Sequence, residues 1–288
     1  MRLRCGNVLA ILAFGVVSAA ARPVHAQNPD NMMPEERTAK GKQVLEQLIT
    51  ALGGPSYLEI RESNCEGRLA QFGHNGELTG YTNFKVYWRY PDKNRTDFSK
   101  KGVIVNVYNG DRGWTLDRGG VSELSTAAVA DFQEQAKRDI NNLLRVRLKE
   151  PGMVIRFAGT DVVDLRTVDW VEITDTEQRD FRLAVDRSSH YLVRSVVTLT
   201  DDTSPDRSVE THIYTNYQLM DGVWTPLQIT LDRNGRRVNQ VFFQFCKYNP
   251  GFGEDFFTKA ALQKRSSEVG VKKSKAEKKK EKEAEKDN

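Results

Sequence analysis

The sequence predicts a mainly β (α+β) fold, an antiparallel meander of hairpins with an N-terminal helix and a central helix. Two observations support this fold class. From Glu62 onward, short apolar runs alternate with polar residues at a period of two, as half-buried strands do. Turn signals such as Asn109-Gly110-Asp111 and Asp221-Gly222 separate these runs. Parallel strands would need helical crossovers, and only one segment of the meander has the pattern of a helix.

Residues 1–26 have the pattern of a cleaved secretory signal peptide. Arg2 and Arg4 give a positive start, residues 8–21 are almost all apolar or small, and Val24-His25-Ala26 offers small residues to a signal peptidase. The apolar run is too short to span a bilayer comfortably. Cys5 precedes this run, so the sequence does not predict lipid anchoring there. We predict an exported protein whose mature chain begins near Gln27.

The charge of the predicted folded region argues against nucleic-acid binding. The whole chain carries 43 basic and 39 acidic residues. The signal peptide accounts for three basic residues, and residues 264–288 account for ten basic and six acidic residues. The remainder holds 30 basic and 33 acidic residues, a net charge of −3. We therefore expect no nucleic acid among the partners of this protein.

A polar leader, residues 27–34, precedes the first predicted helix. Pro34 suits a first helical turn, and Glu35 and Glu36 suit the positive end of the helix. Gly53-Gly54-Pro55 ends it, because glycine adopts the left-handed cap and proline follows just beyond. The apolar residues at helical spacing on one face are Val44, Leu45, Leu48, Ile49 and Leu52.

One domain is predicted over residues 35–262, and its strands are interrupted once by a central helix over residues 125–148. Apolar residues recur there at steps of three and four, Ser125 or Thr126 can cap the start, and Pro151-Gly152 follows the end. After Leu262 the chain is rich in lysine and glutamate and almost free of apolar residues. Such a segment cannot offset the entropy cost of ordering, so we predict a disordered tail over residues 263–288.

The sequence has no recognisable catalytic or metal-binding motif. His74, His190 and His212 stand in no metal-ligand spacing, and no Gly-x-Ser-x-Gly elbow or phosphate-binding glycine loop occurs. The aspartates near residues 161–169 and 201–206 are typical of turns. We therefore predict no catalytic residue, no metal and no cofactor.

Two cysteines, Cys65 and Cys246, remain after removal of the signal peptide. In an oxidising compartment they either form a disulfide or stay as two buried thiols. The aromatic and β-branched residues of the strands leave a second question open. They either fill the core completely or line a cavity for acyl chains, and composition fits both arrangements equally.

The order of these elements resembles the outer-membrane lipoprotein-sorting (LolA/LolB-like) superfamily of periplasmic proteins. The resemblance covers about residues 37–257. It rests on short motifs in a characteristic order. These are Ala51-Leu52-Gly53-Gly54, Cys65-Glu66-Gly67, Tyr90-Pro91-Asp92-Lys93-Asn94-Arg95, Tyr108-Asn109-Gly110-Asp111-Arg112-Gly113-Trp114, Leu183-Ala184-Val185-Asp186 and Gly222-Val223-Trp224-Thr225-Pro226.

This resemblance implies a curved antiparallel sheet forming an incomplete β-barrel, with the N-terminal helix and the central helix closing the open side. It implies a periplasmic, non-enzymatic carrier of a lipid or of the acyl chains of lipoproteins, acting as a monomer. The central helix is the candidate lid, and Cys65 and Cys246 would tie the first strand to one of the last. The candidate cavity-lining residues are Phe84, Val86, Trp88, Val105, Trp170, Phe181 and Leu183.

Two other functions remain open at this point. One is an envelope structural or interaction module with a filled β-core that docks on another protein. The other, with less support, is a hydrolase without a recognised motif. A cavity without buried charge would favour the carrier, an exposed apolar patch over a solid core would favour the module, and a cleft with convergent titratable groups would favour the hydrolase.

Overall fold

The computed structural model describes residues 29–98, 103–201 and 204–268. The predicted signal peptide, residues 1–26, lies outside the described residues. So do the first two residues of the predicted polar leader and residues 269–288 of the predicted tail. Within the described part of the chain, no helix is long and apolar enough to cross a membrane.

In the described residues, thirteen antiparallel strands form one curved sheet that does not close into a barrel, which confirms the predicted fold class. Apart from β6 and β7, strands that follow one another in the chain are neighbours in the sheet, and β1 also pairs with β13. The strands are β1 Glu62–Phe72, β2 Leu78–Arg89, β3 Lys93–Phe98, β4 Ile104–Asn109, β5 Arg112–Asp117, β6 Gly120–Glu123, β7 Val154–Val163, β8 Arg166–Thr174, β9 Asp180–Asp186, β10 Leu192–Asp201, β11 Ser204–Met220, β12 Val223–Arg233 and β13 Arg236–Tyr248.

Five α-helices accompany the sheet in the described ranges, and short 3₁₀ turns flank some of them. The α-helices are α1 Pro34–Leu52, α2 Pro55–Leu58, α3 Thr126–Arg138, α4 Ile140–Arg145 and α5 Lys259–Glu268. The 3₁₀ turns are Pro29–Asn31, Arg147–Lys149 and Glu254–Phe257. Because β6 and β7 are the two edges of the sheet, the segment with α3 and α4 connects one edge to the other.

Helix α1 forms where the sequence predicts it and packs against β7 and β8. Its predicted apolar face is buried, with Leu48 at 0% exposure, in a cluster that also contains residues of β8, β9 and α4. Gly53 ends the helix at a φ of 134°. We call the sheet face that α1 and α4 cover the inner face, and the opposite face the outer face.

The predicted central helix is two helices rather than one. Helix α3 ends at Arg138, and Asp139 has the extended φ and ψ values of −60° and 127°. The Asp139 carboxylate accepts a hydrogen bond from the Asn142 backbone N–H at 2.9 Å and so caps a new helix, α4. Aspartate is a strong N-cap, and this local hydrogen bond competes with a continuous helix.

A further helix, α5, extends six residues beyond the predicted end of the domain at Leu262. Phe257 and Leu262 are fully buried against Val105, Val107 and Leu116 on the outer face of β4 and β5. These strands carry apolar residues on the outer face, and α5 with the preceding 3₁₀ turn covers them. Residues 263–268, predicted as tail, are therefore helical.

Candidate ligand-binding cavity

Two adjoining cavities lie between the inner face of the sheet and the α3–α4 segment. The smaller, here called the inner chamber, has a volume of about 160 Å³ and reaches the bonded cysteines. The larger, here called the outer chamber, has a volume of about 660 Å³ and lies under α3. Val86, Trp88 and Asp139 line both chambers. The two chambers therefore adjoin, and together they are here called the cleft.

The inner chamber has mainly apolar and aromatic walls built by strands from the middle of the sheet. Cys65 of β1 lies directly opposite Cys246 of β13, and their sulfur atoms are bonded at 2.08 Å. Helix α4 and α1 close the other side. The remaining apolar or aromatic residues around this chamber are Leu52, Tyr57, Tyr90, Ile140, Leu144, Leu192, Tyr214, Tyr217, Val223, Trp224, Pro226, Ile229, Phe243 and Tyr248.

One cation is buried in the wall of the inner chamber. Arg145 is 4% exposed, and its guanidinium carbon lies 4.3 Å from the centre of the Tyr57 ring and 5.1 Å from that of Tyr90. Its Nε and Nη1 atoms are buried without a hydrogen-bond partner in the described structure. Asp139 also lines this chamber; burial raises the pKa of its carboxyl group, although its hydrogen bonds to α4 amides and Arg145 oppose the change.

The outer chamber combines an aromatic wall with paired charges. Phe132 of α3 stacks on Tyr108 with ring centroids 4.2 Å apart and on Trp88 at 5.7 Å. Glu210, 6% exposed, accepts a hydrogen bond from Arg233 at 2.6 Å, and Arg138 lies 3.7 Å from its other oxygen. A cavity without buried charge would be the mark of a carrier, and this cleft does contain charged groups. Those at Glu210 are already paired with each other.

Burial shapes the protonation of His212 in the same chamber. Desolvation lowers the pKa of its imidazole below the usual 6.5, and Arg138 lowers it further. Glu210 acts in the opposite direction but does not outweigh them. The neutral form of His212 is therefore the one that the fold favours.

A set of ion pairs, here called the latch, connects the α3 region to the turn between β8 and β9. Asp175, whose side chain is fully buried, accepts hydrogen bonds at 2.9 Å from both Arg147 and Arg179. Arg179 also pairs with Glu134 of α3 at 2.9 Å. Burial alone would raise the pKa of Asp175, but the hydrogen bonds from Arg179 and Arg147 lower it overall.

Two of the seven predicted lining residues, Val86 and Trp88, line both chambers. Phe84 lies two residues before Val86 on β2 and contacts Phe243 of the inner chamber, with ring centroids 5.8 Å apart. These three residues point to the same side of β2, as the period of two predicts.

The other four predicted lining residues occupy different places. Phe181 and Leu183 are on the inner face, but they are buried in the cluster beneath α1 and so fill the core. Val105 and Trp170 are on the outer face. On β4 it is Asn106 and Tyr108 that line the outer chamber, because α5 covers the apolar face that carries Val105.

Sequence reasoning did not find Arg145, Tyr57 or His212 as cavity residues. Arginine is rarely buried without a partner, so the position of Arg145 beside Leu143 and Leu144 in the sequence did not indicate that its side chain lines a cavity. Tyr57 lies on α2, a four-residue helix that no periodicity predicts.

Comparison with known proteins supports the fold. No family model matches the chain, and no curated protein matches it. A DUF1329 family protein from Desulfovibrio piger aligns with a TM-score of 0.57 at 14% identity, over 79% of this chain and 99% of that one. A domain assigned to the outer membrane lipoprotein-sorting proteins, from Vibrio parahaemolyticus, aligns with a TM-score of 0.50 at 13% identity, over 77% and 99% of the two chains.

These matches place the chain in the class of curved, open antiparallel sheets with helices on the inner face. The fold is LolA/LolB-like, as the sequence motifs predict.

Proposed function

We propose that this protein is a periplasmic, non-enzymatic carrier or binding protein for a lipid or for the acyl chains of lipoproteins. The observation that carries the proposal is the cleft of two adjoining chambers between the sheet and α3–α4, with the apolar inner chamber at one end. The LolA/LolB-like fold supports it, as does the assignment of the Vibrio domain to lipoprotein sorting. Transfer of an acyl chain into such a cleft yields about 0.8 kcal/mol per buried CH₂.

The polar groups of the cleft support binding rather than catalysis. The Ser63 and Tyr90 hydroxyls lie 3.3 Å apart and pair with each other, and Cys65 is bonded to Cys246. Glu210 is held by two arginines. A hydrolase needs a nucleophile and a free base within hydrogen-bond reach of each other, and these pairings occupy the Ser63 and Tyr90 hydroxyls, both sulfur atoms and the Glu210 carboxylate.

The test is native mass spectrometry, followed by organic extraction, of protein purified from its own periplasm. We expect co-purifying phospholipid, fatty acid or acylated peptide, which would also define the class of cargo. A Val86→Trp variant should lose this material, because the larger side chain fills the junction of the two chambers. Val162→Trp makes the same change at a β7 position that is 63% exposed, and it should retain the cargo.

Circular dichroism of both variants would establish that they fold. A clean unliganded mass for the wild type, with no uptake of added lipid, would contradict the carrier function. It would favour the envelope interaction module, whose partner protein would then be sought by crosslinking. Retention of the same lipid by Val86→Trp would show that the lipid binds elsewhere.

A further inference from the structure

Arg145 is a buried cation with hydrogen-bond donors that the described residues leave unsatisfied. It is 4% exposed and lines the inner chamber, where the Asp139 carboxylate acts on its charge without forming an ion pair. Nε and Nη1 are buried and donate no hydrogen bond. Leaving such donors and such a charge unpaired in a low-dielectric site is costly. An anionic acceptor inside the chamber would remove that cost.

The surroundings of Arg145 hold it in place without neutralising it. The rings of Tyr57 and Tyr90 lie within cation–π distance of the guanidinium group. Their hydroxyl groups already have partners, since Tyr57 donates to Asn141 at 3.2 Å and Tyr90 pairs with Ser63 at 3.3 Å. The guanidinium group is thus positioned at the wall of a cavity with donors available to a ligand.

We propose that Arg145 binds the anionic group, a carboxylate or a phosphate, of a single-chain amphiphile whose apolar chain continues past Val86 and Trp88 along the aromatic wall of the outer chamber. This inference rests on the carrier function proposed above. A water-sized group takes roughly 30 Å³. The inner chamber, at about 160 Å³, therefore accommodates an anionic group with a few methylenes, and the outer chamber, at about 660 Å³, accommodates the rest of the chain.

Asp139 is the acidic group that faces the same chamber and opposes this binding. Its carboxylate accepts a hydrogen bond from the Asn142 backbone and so remains at the start of α4. Replacing it by asparagine keeps a good N-cap but removes the negative charge. The Asp139→Asn variant should therefore bind an anionic amphiphile more tightly than the wild type does, and a neutral one equally well.

The test is isothermal titration calorimetry of the purified, delipidated protein with dodecanoate and dodecanol, kept below the concentration at which they aggregate. A hydrogen bond to a charged group contributes enough to raise affinity about tenfold or more. We expect the wild type to prefer dodecanoate over dodecanol by that factor. The Arg145→Met variant should bind both about equally, because dodecanoate loses more affinity than dodecanol does when the guanidinium group is removed.

Two further variants separate the role of Arg145 from general effects of charge and folding. Arg182→Met removes another arginine that lies over an aromatic ring, that of Trp170 on the outer face, and should keep the full preference. Arg145→Lys retains a positive charge and should therefore keep part of the preference for dodecanoate. Thermal melting checks each variant; Arg145→Met should melt at or above the temperature of the wild type, because it removes an unpaired buried charge.

The outcomes distinguish this inference from the function on which it rests. Equal binding of dodecanoate and dodecanol by the wild type, or an unchanged preference in Arg145→Met, would overturn the role of Arg145 and leave the carrier function intact. Failure of the wild type to bind either ligand would contradict the carrier function itself. Dodecyl phosphate and acetate complete the set. Whichever of dodecanoate and dodecyl phosphate binds more tightly identifies the headgroup. Acetate binding as tightly as dodecanoate would show that the apolar chain contributes nothing, and would refute the proposal that the ligand is an amphiphile.

Discussion

The bond between Cys65 and Cys246 leads to a large predicted effect on stability. The two residues are directly opposed on β1 and β13 and are 181 positions apart in the sequence. Closing a loop of this length restricts the unfolded chain, and the loop-entropy relation gives about 5 kcal/mol of stabilisation. For a domain of this size, each kcal/mol shifts the melting temperature by about 2–4 °C, so loss of the bond should lower it by about 10–20 °C.

Three forms of the protein would measure this effect. Non-reducing peptide mapping should first recover a Cys65–Cys246 peptide. Thermal and urea unfolding of the oxidised protein, the reduced protein and a Cys65→Ala/Cys246→Ala variant then separate the bond from side-chain packing. The reduced wild type keeps both sulfur atoms in the core, so its loss of stability reports the covalent link alone.

Two results are expected if the bond stabilises the protein in this way. Both thiols must resist alkylation in the native oxidised protein, since a bonded cysteine has no free thiol. The reduced protein must also account for most of the loss that the double alanine variant shows. A reduced form that melts within about 2 °C of the oxidised form would refute the entropic argument, because it would mean that the unfolded chain gains little freedom when the link is broken.

Three other substitutions test the latch, the seat of α1 and the outer chamber. Asp175→Asn breaks a buried ion pair and should cost about 3 kcal/mol in urea unfolding at pH 7, whereas the exposed Asp180→Asn should cost under about 0.5 kcal/mol. A Cβ on Gly41 would lie 2.9 Å from the β7 backbone, so Gly41→Val should lower stability by about 1–3 kcal/mol, and Gln43→Val on the exposed side of α1 should not. Because burial lowers the pKa of His212, the stability of the wild type should fall as the pH drops below 6.5. Unfolding at pH 7.5 and at pH 5.5 should show a smaller loss of stability in His212→Gln than in the wild type. An equal loss in the two proteins would contradict this role of His212.

The order and pairing of the strands follow closely from the sequence, because local patterns determine them. The period of two and the turn signals predict an antiparallel meander, and the apolar face of α1 is the one that is buried. The same alternation correctly places Val86 and Trp88 on one side of β2. These features depend on neighbours in the chain, and neighbours are visible in the sequence.

Which face of a strand adjoins a cavity depends on elements far away in the chain. Val105 is apolar because α5, about 155 residues later, covers its side of the sheet. The high content of lysine and glutamate beyond residue 263 gave no indication of this helix, whose Leu262 is buried together with Phe257 of the preceding 3₁₀ turn. Arg145 shows the same limit, since the rings of Tyr57 and Tyr90 that surround it come from separate regions of the chain.

The break at Asp139 gives the candidate lid two parts with different strengths of attachment. Helix α4 contributes Leu143 and Leu144, exposed by 0% and 2%, to the main core cluster. Helix α3 buries Val129, Phe132 and Ala136 outside that cluster and joins the latch through Glu134, whose side chain is 42% exposed. Ion pairs at that exposure contribute less than about 1 kcal/mol each.

Opening of the cleft should therefore move α3 about Asp139 while α4 stays in place, since the bonded strands β1 and β13 cannot separate. Native-state hydrogen exchange tests this expectation at the level of single helices. Backbone amides of α3 should exchange faster than those of α4, because opening that exposes few buried apolar groups costs less free energy. Addition of dodecanoate should slow exchange in α3 more than in α4. Equal protection of the two helices, unchanged by ligand, would mean that the α3–α4 segment moves as one unit and that its extended residue at Asp139 is not a hinge.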